Sequence, residues 1–276
     1  MLASYLITFR EVFEASLITA IIITYLLKTG RKNLIKYVWI GVFLSIFSSL
    51  VLGFLIWFFY GGLSKKTQIL FETIASFLAV FVLTWVVYWM ALKGRYLKKE
   101  IERKIEEAST KKTVFALVLA VFIIVFREGL ETVLFLTPFF LKDVFSTVFG
   151  FFLGVFCGLA LSYLFFYFGV KIDIKKFFYF TSIFLIFIAA GLVGYGVHEL
   201  FEFLKKINFN IGFLGDYAYK LNIDSNNPFH HKGIIGSVFA VMFGYTVYAE
   251  LGRLIFHLLY LVINIPIVSL IYRKKS

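Results

Sequence analysis

Two stretches of otherwise apolar sequence are each interrupted near the middle by the same charged pattern, Arg-Glu-x-x-Glu. The first is Arg10-Glu11-Val12-Phe13-Glu14 and the second Arg127-Glu128-Gly129-Leu130-Glu131. Each follows a Phe (Phe9, Phe126) and precedes a Leu three positions beyond its last Glu (Leu17, Leu134). A charge at the centre of a membrane helix costs about 2.5–3.5 kcal/mol on the insertion scale. Six unpaired charges would cost on the order of 15–20 kcal/mol on that scale. A chain that carries this pattern twice has a use for it, and the use it suits is an ion site.

The surrounding composition supports membrane depth. The chain is 61% hydrophobic and 16% charged, with a mean hydropathy of +0.91, far from a soluble composition. Its apolar runs approach 20 residues, long enough to cross a bilayer. The single cysteine, Cys157, excludes an internal disulfide and a cysteine-metal centre. The net charge of +12 does not point to nucleic acid, because the cations sit in short loops between apolar runs. The N-terminus lacks a basic leader region and its first apolar run holds the charged motif, so it reads as a retained helix.

The pattern predicts an all-α polytopic membrane protein with seven spans, at about 2–27, 38–60, 70–92, 113–141, 144–170, 178–204 and 234–265. One transmembrane domain, 1–276, is expected. It divides into a first repeat (1–92), a cytoplasmic linker (93–112), a second repeat (113–204), an outer loop (205–233) and a seventh helix. With the N-terminus outside, 18 loop lysines and arginines fall on the inner side and 7 on the outer. The positive-inside rule therefore places the N-terminus outside and the C-terminus in the cytoplasm of a cell-membrane protein. The linker mixes signs (Glu100 with Lys104, Lys99 with Arg103 and Glu107) and reads as a solvated helical extension.

The motifs lie 117 residues apart and each opens a group of three helices. Three is odd, so the second group runs upside down relative to the first, an inverted repeat of the kind that places transporter sites near the midplane. Outside the motifs the self-similarity is faint: Gly41-Val42-Phe43 resembles Gly154-Val155-Phe156.

Residues three and four apart share a helix face. Glu11 and Glu14 therefore point the same way with Arg10 reaching Glu14, and Glu128, Glu131 and Arg127 repeat the arrangement. Packing the first and fourth helices antiparallel brings four carboxylates and two arginines together, a hard oxygen cage suited to a multivalent cation. A pair of structural salt bridges is the plainer reading, but each motif carries an extra Glu that has no fixed cation of its own.

These features resemble the high-affinity iron permeases of fungi and their bacterial counterparts, a family marked by paired Arg-Glu-x-x-Glu motifs in the first and fourth of seven helices. The resemblance extends to the stretch from Glu72 to Met90, to Gly196-Val197-His198-Glu199-Leu200 and to Phe243-Gly244-Tyr245-Thr246. It implies that Glu11, Glu14, Glu128 and Glu131 bind iron as transported cargo, with no resident cofactor, and that the protein is not an enzyme. The resemblance makes an extracytoplasmic oxidase or iron-binding protein a candidate partner. The loop 205–233 carries Asp216, Asp224, His230 and His231 but no acidic Glu-x-x-Glu run of the kind some fungal relatives have, so the oxidase rests on the resemblance alone.

With the N-terminus outside, Glu72, His198, Glu199 and Glu202 fall toward the external face and are expected to form an outer vestibule. His230 and His231 read as a solvated loop pair. Glu250 and Arg253, three apart in the seventh span, are expected to pair with each other, and His257 to be structural. Pro138 is a candidate bend in the fourth helix. Trp57, Trp85 and Trp89 read as lipid-facing or interfacial. Two rival functions stay open. The same fold can carry manganese, lead or another divalent cation, because oxygen ligands alone do not separate these. An intramembrane carboxylate-metal enzyme is disfavoured, since di-iron bundles use Glu-x-x-His and neither motif contains His.

Overall fold

The computed structural model describes residues 1–93, 97–110, 114–167, 174–224, 227–230, 235–236, 239–240 and 244–274. The tail of the expected 144–170 span, parts of the 234–265 span, His231, Phe243 and several of the loop cations lie outside the described residues. Eight long helices are described: α1 (Leu2–Lys28), α2 (Ile35–Gly61), α3 (Lys65–Lys93), α4 (Leu97–Thr110), α5 (Val114–Lys142), α6 (Val144–Tyr167), α7 (Ile174–Lys206) and α8 (Leu251–Lys274). Five of them, α2, α3, α6, α7 and α8, are long and apolar enough to cross a membrane. Helices α1 and α5, at 27 and 29 residues, are as long but carry the motif charges at mid-length.

The sequence-derived boundaries are close for the first six spans and wrong for the last. Residues 244–247 are irregular and Tyr248–Glu250 forms a strand, β2, paired antiparallel with β1 (Tyr217–Lys220). The helix then begins at Leu251, well beyond the expected 234. The Gly244 backbone has a φ of 64°, a left-handed conformation that ends helical propagation and favours glycine. A Cβ there would also strike the His257 ring.

The helices pack in a regular set of pairs, α1 with α6, α2 with α5, α3 with α7, and α8 against α7 and α3. Glycines set the first two contacts. On α6, Gly150, Gly154 and Gly158 form a small-residue row that admits the α1 backbone. A Cβ on Gly154 would lie 2.8 Å from Tyr5 O and from Thr8 Cβ, and one on Gly158 would lie 3.0 Å from Phe9 O and Val12 Cγ1. On α2, Gly41 admits Val118 and Val121 of α5, and on α5, Gly129 admits Ser49 of α2. Lipid and helix surfaces are equally apolar, so close backbone approach of this kind is what drives helix association in a bilayer.

The α3–α7–α8 side is an apolar core of Ala79, Leu83, Val86, Leu185, Ile188, Ala189, Leu192 and Val268 among others. Thr84 bonds the Tyr260 hydroxyl at 2.6 Å, and the Tyr88 hydroxyl donates to Asn264 at 3.0 Å. A second core joins Ile18, Ile22, Val38, Leu117 and Val121 to Ile101 and Ile105 of α4. The linker helix is thus not solvated all round. Its charged face makes the expected Glu100–Lys104 pair at 3.0 Å, while its isoleucines seal one end of α1, α2 and α5. On the outside of the bundle, Phe43, Phe47 and Phe58 of α2 and Phe145, Phe152 and Phe156 of α6 are exposed, as a lipid-facing surface requires.

Candidate metal site

Both motifs fall within the helical interior, and the i, i+3, i+4 geometry puts their charged side chains where α1 and α5 meet. Arg10 is buried, at 2% exposure, and forms ion pairs with two carboxylates: Glu11 through Nη1, and Glu14 through Nη2 at 2.7 Å. Arg127 donates from Nε to Glu131 Oε1 at 2.8 Å, and its side chain is 42% exposed. The two motifs share a pattern but differ in depth. One cation is enclosed between two carboxylates, while the other holds a single carboxylate and keeps an open flank.

Glu11, Glu14, Glu128 and Glu131 are all buried. Carboxylate oxygens of Glu11, Glu128 and Glu131 lie within 4.8 Å of one another. Glu14 stands beside this trio, held by Arg10. Oε2 of Glu11, of Glu128 and of Glu131 each lack a hydrogen-bond partner. Buried carboxylate oxygens are costly to leave unsatisfied, and a cluster of them presents lone pairs to a hard cation. Gly129 lies between the two glutamates of its motif and lets α2 approach there. Pro138 lies about two turns beyond Glu131 on α5, within the continuous helix.

The expected vestibule residues resolve into two neighbouring groups at one end of the bundle. Glu72 of α3 accepts hydrogen bonds from the hydroxyls of Tyr60 and Tyr195, and Tyr195 lies beside Glu199. His198, Glu199 and Glu202 of α7 present ligand atoms within 4.8 Å of one another. Glu202 also pairs with Lys206 at 3.2 Å.

Three side chains behave differently from the sequence reading. Glu250 lies on β2 rather than in a helix, and its Oε1 bonds His198 Nδ1 at 2.8 Å in place of the expected pairing with Arg253. The Nε of Arg253 has no hydrogen-bond partner. His230 is buried rather than solvated. Trp89 is not simple lipid-facing filling, because the Arg127 guanidinium carbon lies 4.4 Å from its ring centroid.

The roles of Tyr60, Trp89 and Glu250 were not predicted. Tyr195 had a readable signal, since it stands four residues before Glu199 on the same helix face. Glu250 had none, because its reach to His198 depends on where the last helix begins.

A family model matches nearly the whole chain, both Arg-Glu-x-x-Glu motifs included. The iron permease FTR1 family matches residues 1–273. This chain belongs to that family. Curated relatives agree. The chain is 32% identical to the ferrous iron permease EfeU of Yersinia pestis over 265 residues, covering 95% of this chain and 91% of the relative. It is 32% identical to the EfeU of Escherichia coli O6:H1 over the same length, covering 93% of that relative. An uncharacterised protein of Archaeoglobus fulgidus is 40% identical over 276 residues. No solved structure matches. The permease is therefore a multi-pass membrane protein of iron transport, and a transporter rather than an enzyme.

Proposed function

We propose that the permease imports iron through a midplane site formed by Glu11, Glu14, Glu128 and Glu131, with Arg10 and Arg127 limiting repulsion among the carboxylates. The observation that carries this reading is the buried convergence of Glu11, Glu128 and Glu131 from two helices, with oxygens lacking partners. The ferrous designation of the relatives favours Fe(II) as cargo. Glu72, His198, Glu199 and Glu202 form the outer vestibule, where incoming ions exchange water for protein ligands.

The permease has seven spans, α1–α3 and α5–α8, with α1–α3 and α5–α7 as inverted repeats, the N-terminus outside and the C-terminus in the cytoplasm. The packing supports this repeat. Exchanging the halves turns the α1–α6 pair into α5–α2 and maps α3–α7 onto itself. The small-residue contacts follow the same exchange: Gly150 against Ser4 corresponds to Gly41 against Val121, and Gly158 against Val12 corresponds to Ser49 against Gly129. Rocking of the two halves about the shared site would expose it alternately to each side.

The deciding experiment is radioactive iron uptake into proteoliposomes, as Fe(II) under reductant and as Fe(III) chelate, with wild type and Glu128→Gln. Uptake of Fe(II) by wild type that disappears in the variant supports the site and the cargo. Equal uptake by both proteins removes Glu128 from the path. Manganese and lead in the same assay test the alternative cargo.

A further inference from the structure

The end of α7 presents a donor set unlike the midplane cluster. His198 and Glu202 are one helical turn apart, and Glu199 and Glu202 are three apart, so the three side chains can converge. Their ligand atoms already lie within 4.8 Å of one another. Glu250 reaches them from another element. It lies on β2, just before α8, with 2% exposure. One of its oxygens bonds His198 Nδ1 at 2.8 Å, and the other has no hydrogen-bond partner. The β1–β2 pairing holds it there, with Tyr217 opposite Glu250 and Leu251 N donating to Asp216 O at 2.8 Å.

We infer that His198, Glu199 and Glu202 form a second, outer cation site for a first-row divalent ion, with Glu250 as the positioning residue that orients the His198 ring. Histidines that ligate metals almost always give their other ring N–H to a carboxylate or carbonyl, which fixes the tautomer and the ring plane. Glu250 is that carboxylate here, and it leaves Nε2 as the nitrogen with a lone pair for an ion. One imidazole nitrogen and two carboxylate oxygens make a borderline donor set, which suits divalent iron, cobalt, manganese or zinc better than calcium or magnesium. The all-oxygen cluster at the motifs lacks that discrimination. Glu202 is half-exposed, and its bond to Lys206 is a surface pair, cheap to exchange for an ion. Glu199 is buried beside Tyr195 and Glu72, on the side from which an ion would leave. The inference rests on the permease reading above and deepens its outer vestibule, while using none of the midplane glutamates.

Co(II) binding to the purified full-length protein in detergent tests it, read by equilibrium titration and by the d–d absorption bands of nitrogen-ligated cobalt. Wild type should show two classes of site. His198→Ala should abolish the nitrogen-ligated class. Glu250→Ala should weaken that class about 10–100-fold, the usual effect of losing such an orienting partner, and Glu250→Gln less so. Glu128→Gln should remove only the other class. Wild-type affinity and spectra in both His198→Ala and Glu250→Ala would overturn the proposal. If either variant loses both classes it has lost its fold, and Glu202→Gln at the helix end decides: selective weakening of the nitrogen-ligated class supports the site, and no change overturns it. A single class in wild type that survives Glu128→Gln but not His198→Ala would leave the outer site standing and sink the midplane reading. The reverse pattern would sink the outer site alone.

Discussion

The Arg127 guanidinium lies over the Trp89 ring at 4.4 Å while its Nε bonds Glu131 at 2.8 Å. The indole of α3 and the carboxylate of α5 thus hold one cation between them. Arg10 has no such ring among its described contacts and instead engages Glu11 and Glu14. The two motifs, alike in sequence, anchor their arginines by different means.

That difference predicts unequal costs. Removing Arg10 strands two buried carboxylates, and breaking a buried pair in this way costs about 3–5 kcal/mol. Removing Arg127 strands one buried carboxylate rather than two, and its side chain keeps an open flank, so its loss should cost less than that of Arg10. Thermal unfolding of Arg10→Gln and Arg127→Gln in detergent should show a clearly larger drop for the first. Equal drops would mean that the depth difference has no energetic weight.

Trp89→Leu should remove a cation–π contact of roughly 0.5–2 kcal/mol while keeping an apolar side chain on α3. Arg127 would then hold Glu131 less firmly. We expect a several-fold weaker apparent iron affinity in uptake assays, with Trp85→Leu as the control, since Trp85 is 63% exposed. Identical behaviour of the two variants would remove Trp89 from the site's support.

Gly154→Leu would force a side chain into the α1 backbone, where even a Cβ would lie 2.8 Å from Tyr5 O. Overpacking of this kind costs typically 1–3 kcal/mol, and it would displace the helix carrying Glu11. Uptake and thermal stability should both fall. Gly61→Ala, with nothing within 4 Å of its added Cβ, should leave uptake unchanged. Retained uptake in Gly154→Leu would show that α1 can shift without losing the site.

Between α5 and α6, the Asp143 carboxylate accepts hydrogen bonds from the Ser146 backbone N–H at 3.1 Å and from its hydroxyl at 2.6 Å, capping α6. These bonds hold its pKa below the usual carboxylate value. A depressed pKa means that the stabilisation is fully present above the unfolded value, about 3.9, and is lost as the pH falls through the folded one. Asp143→Ala should cost about 0.5–2 kcal/mol near neutral pH. The gap between wild type and variant in urea or thermal melts should narrow as the pH falls below the unfolded value and through the folded one. A gap that stays constant throughout acid titration would assign the effect to something other than the charged cap.

Much of this architecture was legible because membrane burial leaves a coarse signal. Apolar run length placed six helices to within a few residues, and the mid-run charges named the buried glutamates. The last helix was misplaced because the apolar residues 234–247 look like span to a hydropathy reading. Gly244 and the β1–β2 pairing, which interrupt them, depend on backbone geometry and on a strand 30 residues away. The same error hid Glu250, whose partner was assigned within a helix that does not extend that far. Under the proposed inverted repeat, the glycine whose packing corresponds to Gly41 is Gly150, one helical turn before Gly154, and a row with glycine at every fourth position offers several registers that sequence cannot rank.

At the level of the motifs, Gly158 makes room for Val12 in one half and Gly129 makes room for Ser49 in the other. The missing side chain is on the neighbouring helix in the first case and on the motif helix in the second. What selection has to preserve is therefore the combined bulk of two facing positions, and either helix can give way to meet it. A relative that has lost the glycine from its second motif need not have lost the site. Its partner on the second helix is the place to look for the compensating small residue.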